Sequence, residues 1–148
     1  MSITAPQFFS FFSKSHEIEY KHLKGVIKIL RNDAVLKSTS YCLFFDINKQ
    51  QMMVSEENTK GECSDEFLKE PKALRKHIFH EDLILQEARH AGSNYLLPGT
   101  STDLLEVNIN SSGFVTPFFL LFSSTDSSAK WKIESKGIMG KLLLNEYD

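Results

Sequence analysis

Phe118-Phe-Leu-Leu-Phe-Ser-Ser-Thr-Asp-Ser-Ser-Ala-Lys-Trp-Lys-Ile-Glu134 reads as a strand, a polar turn and a second strand. Side chains alternate along an extended chain, so Phe118, Leu120 and Phe122 face one way and Phe119 and Leu121 the other. A strand that is apolar on both sides needs cover on both. A helix can supply one layer, and a second layer, an oligomer partner or a bound protein must supply the other. After the turn at Ser124–Ser128, Lys130–Glu134 alternates charge with Trp131 and Ile133, which are expected to turn inward.

Upstream, the strand extends back to Phe114 and is preceded by a turn at Ser111-Ser-Gly113. Leu105, Val107 and Ile109 alternate with Glu106, Asn108 and Asn110, the pattern of a half-buried strand. Downstream, Ile138–Leu144 suits a last strand. Tyr41–Ile47 and Met52–Val54 predict a hairpin with Tyr41, Leu43, Phe45 and Ile47 on one face. Glu56–Cys63 reads as a loop. Ser64-Asp65-Glu66 predicts a cap of a short helix, and Pro71 starts or kinks another through about His77. Within His80–His90, Leu83-Ile-Leu85 suits a buried strand or a helix turn. At the start of the chain, Thr4-Ala-Pro-Gln7 fits a capping box. Phe8, Phe12, His16, Glu19, Leu23, Val26, Ile27 and Leu30 then recur at steps of three and four, so a long amphipathic helix is expected, ending at Asn32-Asp33. Helices first and an antiparallel meander afterwards make the class α+β.

The 148 residues are one domain's length, so a single domain over 1–148 is expected. Seventeen basic residues against nineteen acidic ones give a net charge of −2, which argues against duplex nucleic acid as a partner. No run approaches the roughly 20 apolar residues of a membrane span, and no basic region precedes Lys14, so a cytoplasmic chain is expected. In that compartment Cys42 and Cys63 would be a reduced, buried pair. No glycine-rich phosphate loop and no Gly-x-Ser-x-Gly elbow occurs, and no cofactor is implied. His77-Ile-Phe-His80-Glu81 lacks zinc-ligand spacing and reads as a non-ligating cluster without metal.

The order of long helix, hairpin, small helix and C-terminal antiparallel sheet resembles the NTF2-like superfamily. Phe118–Glu134 is similar to the apolar strand, polar turn and Lys-Trp-Lys-Ile pattern that many members carry. The resemblance implies a long N-terminal helix packed on a curved antiparallel sheet that forms a cone. No residue here matches the Asp or His motif of the enzymatic members, which favours a non-catalytic one. By family analogy the chain is similar to bacterial immunity proteins: it would bind a cognate toxin or effector directly and dimerise through its sheet. Glu56, Glu57, Glu62, Asp65 and Glu66 would meet a basic partner. A competing reading makes the cone a small-ligand or enzyme pocket lined by Phe44, Asp46, Tyr95 and Trp131, with Asp46 as base. A third makes the chain a structural subunit of a larger assembly.

Overall fold

Leu23, Val26, Ile27, Leu30 and Ala34 fall on one stripe of the helix α1 (Ser15–Lys37) and are buried. The computed structural model describes residues 14–91 and 104–147. The Thr4–Gln7 capping box, Phe8, Phe12 and Tyr95 lie outside them. Asn32-Asp33 does not end the helix. Asp33 instead pairs with Lys37 one turn on, at 3.6 Å, and Ala34 continues the buried stripe. The stop comes at Ser38, whose left-handed backbone (φ 51°) turns the N–H groups of Ser38 and Thr39 onto the Ala34 carbonyl.

Among the described residues nine strands follow: β1 (Tyr41–Asp46), β2 (Gln51–Glu57), β3 (Cys63–Phe67), β4 (His77–Ile78), β5 (Leu83–His90), β6 (Leu104–Ile109), β7 (Phe118–Ser124), β8 (Lys130–Lys136) and β9 (Lys141–Glu146). They form two sheets. One runs β3-β2-β1-β6, with β4 also on β2, and the other runs β5-β7-β8-β9. Every pairing is antiparallel. The expected single curved sheet is therefore corrected to two. Strands adjacent in sequence separate: β6 crosses to β1, and β5 pairs with β7.

Four local expectations are also changed or resolved. Ser64-Asp65-Glu66 is part of strand β3, not a helix cap, because the Cys42–Cys63 disulfide and pairing with β2 hold it extended. The helix expected from Pro71 shrinks to one 3₁₀ turn, Lys72–Leu74, before His77 joins β2. The ambiguous Leu83–Leu85 is the start of β5. The last strand begins at Lys141, since Gly137 and Gly140, both at positive φ, make Ile138-Met139 a turn.

The helix stripe and the inner faces of both sheets share one apolar core, in which the rings of Phe45 (β1) and Phe118 (β7) meet at 5.4 Å. Both faces of β7 are covered: Phe118, Leu120 and Phe122 are core, and Phe119 and Leu121 are also buried. The Arg89 guanidinium lies over the Phe119 ring at 4.3 Å. Gln50, at the β1–β2 turn, ties the two sheets together. Its amide accepts from the Leu85 N–H (2.7 Å) and donates to the Leu85 carbonyl (3.0 Å), so the side chain satisfies backbone groups on the free edge of β5.

Candidate functional site

The acidic residues singled out from sequence do not form one surface. Glu56 and Glu66 line the same shallow hollow of about 400 Å³, beside Lys69 and Glu70. Glu62 lies in the β2–β3 turn, and Asp65 alternates to the opposite face of β3 from Glu66. Glu57 pairs across the ladder with Cys63. Phe44 and Asp46 share one face of β1, but Trp131 is on the other sheet. Phe44 meets Phe67 edge-on at 5.9 Å, and Trp131 stacks on His16 at 4.1 Å, on the other sheet. The Asp46 carboxylate is buried, but it accepts the Lys49 N–H at 3.0 Å and so closes the β1–β2 turn. That is a turn-closing contact rather than a base over a substrate.

Cys42 and Cys63 are joined as a disulfide, with Cα atoms 6.0 Å apart, which corrects the expected reduced pair. Among the described residues the one grouping of three potential metal ligands is these two sulfurs with Glu106. Bonded to each other, the sulfurs offer no thiolate to an ion.

A polar cluster that sequence reading undervalued joins α1 to the β4–β5 segment. Glu19 is on the buried stripe of the helix and only 4% exposed. One carboxylate oxygen accepts the His80 backbone N–H at 2.8 Å, and the other lies 2.7 Å from His77 Nε2. His22 stacks on His77 with ring centroids 3.8 Å apart. Its Nε2 is buried without a hydrogen-bond partner among the described residues. Burial, and then the neighbouring His77, hold the His22 imidazole below its ordinary pKa. Burial lowers His16 likewise. A carboxylate on an otherwise apolar helical stripe was the signal for this cluster. The arrangement clamps the helix to the sheet and leaves no reacting position between acid and base.

Exposed apolar side chains gather at the C-terminal end of α1. Val35, Leu36, Phe114, Ile138 and Met139 are all more than 40% exposed. Arg31 links the loops that carry three of them, donating from Nε to the Gly113 carbonyl (2.7 Å) and from Nη2 to Met139 Sδ (3.7 Å). No helix of the described residues is long and apolar enough to cross a membrane.

No protein-family model and no curated protein matches the chain. Solved structures do. Two structures of the minor pseudopilin EpsH from the type II secretion system of Vibrio cholerae share its fold. One covers 90% of this chain and 98% of that one, at 16% identity and a TM-score of 0.65. The other covers 90% and 97%, at 17% identity and a TM-score of 0.68. The fold is thus that of a minor pseudopilin, an α+β arrangement of one helix on antiparallel sheets. The NTF2-like cone is overturned by this match, and the immunity or toxin-inhibitor reading loses the family analogy that carried it.

Proposed function

We propose that the chain is a structural subunit of a larger protein assembly, of the pseudopilin kind, and that it works by docking against other protein subunits. It is not an enzyme. The observation that carries this is the fold shared with minor pseudopilin EpsH over nine-tenths of the chain and nearly all of the neighbour. The exposed apolar end of α1 supports it, since contiguous apolar surface marks interaction sites. We also propose an oxidising compartment for the working protein in place of the cytoplasm expected from sequence; the Cys42–Cys63 disulfide supports this.

The test is made in cells of the source organism. A photo-crosslinking residue at Leu36, 81% exposed, should give adducts with a small, fixed set of other pilin-fold subunits. Deleting the gene should reduce export of proteins to the medium. Normal export together with no subunit adduct would refute the reading.

A further inference from the structure

The helix α1 and the strand β9 form a groove of about 470 Å³ whose lining carries four cations, Lys24, Lys28, Arg31 and Lys141, and no carboxylate. This is a local surplus, because the whole chain has a net charge of −2. The groove is built, not incidental. Tyr20 Oη donates to the Leu142 carbonyl at 3.0 Å, which pins the helix against β9. Gly140 lets them close up, since a Cβ there would meet Val115 at 2.9 Å and Ile27 at 3.0 Å. Ile27 and Leu142 supply an apolar floor.

The cations are poorly compensated. The Lys24 ammonium lies 5.2 Å from the centroid of the Tyr20 ring, and Arg31 is held by Gly113 and Met139. Lys28 and Lys141 are exposed and make no ion pair with any described residue. Lys24, Lys28 and Arg31 follow one another at steps of four and three, so like charges stand side by side on the helix and repel. An anionic occupant relieves that repulsion.

We propose that this groove docks an acidic, extended segment of a partner protein; that the segment belongs to a fellow subunit rests on the reading above. Lys24 to Arg31 spans about 10 Å of helix, the length of three or four residues of extended chain. Alternate carboxylates of such a segment would face the cations while the side chains between them turn away. Single-stranded nucleic acid fits less well, because its binding leans on free aromatic faces. The aromatic side chain at the groove, Tyr20, is committed to Leu142 and Lys24.

The test titrates the purified chain with the capped pentapeptide EAEAE, its counterpart KAKAK and a pentathymidylate, followed by NMR shift changes. The expected result is shifts from EAEAE confined to residues 20–32 and 140–143, weakening as salt is added. Lys28→Glu combined with Lys141→Glu should weaken binding about tenfold, with Lys28→Gln and Lys141→Gln as the milder pair should the first fail to fold. No shifts from EAEAE, equal shifts from KAKAK, or tighter binding of pentathymidylate at the same residues would each overturn the proposal. The measurement needs no other subunit. Its failure leaves the subunit reading intact, and failure of that reading in cells leaves the charge preference of the groove measurable.

Discussion

At the scale of residues, His22 shows what burial does to an imidazole. Its imidazole is held below the ordinary value of 6.5 when folded, whereas the unfolded chain protonates it near that value. Acid therefore adds a proton more readily to the unfolded state. The stability from neutral His22 is complete above pH 6.5 and is lost as the pH falls through the lower folded pKa. Thermal melting followed from pH 7.5 to 5 should show a falling Tm. His22→Phe keeps a ring against His77 and removes a buried nitrogen that has no partner among the described residues. It should raise stability at neutral pH by about 1 kcal/mol and flatten part of the acid slope. A Tm that rises on acidification, or a variant with an unchanged slope, would contradict this.

Glu19 stood within the apolar stripe of the sequence, but nothing local announced that His77 and the backbone of His80 would meet it from 58 and 61 residues away. Asp46 erred the other way. A carboxylate among aromatics looked like a base, and a turn N–H three residues on claimed it. Neither outcome depends on residue type alone; both depend on which backbone donors arrive.

Among elements, the helix was legible because its buried stripe recurs every three or four residues, β6 and β8 from period-two alternation, and β7 from a continuous apolar run bounded by turn residues. β3 was not. Ser-Asp-Glu is good capping chemistry, and the pairing with β2 and the bond from Cys63 to Cys42 override it. This crosslink closes a separation of 21 residues. Replacing both cysteines by serine should cost about 3 kcal/mol on the loop-entropy account, read as a lower urea midpoint. Identical midpoints for the oxidised chain and the double variant would show that the crosslink contributes nothing. The docking of α1 on β9 depends on Gly140, which combines φ 70° with close approaches to Val115 and Ile27. Gly140→Ala adds a Cβ both to a left-handed backbone and to a filled contact, and should destabilise by about 2 kcal/mol or more. A thermal melt within about half a kcal/mol of the parent, the range of an ordinary surface change, would refute that tight contact.

For the whole molecule, the two-sided β7 pointed correctly to cover from two directions, and both its faces are buried. The sheet order stayed hidden, because alternation tells which side of a strand is wet and not which strand lies beside it. The resemblance in the texture of Phe118–Glu134 belonged to antiparallel strands in general, and the fold shared with minor pseudopilin EpsH replaces it. A run of carboxylates in sequence divides between strand faces, whereas cations from α1 and β9 converge only on folding.

The most direct test of the subunit reading is native mass spectrometry of the purified chain mixed in turn with each of the other pilin-fold subunits of its organism. A complex of fixed small stoichiometry with at least one of them, lost when Val35, Ile138 and Met139 are replaced by serine, is the predicted result. The chain remaining alone in every mixture would contradict it.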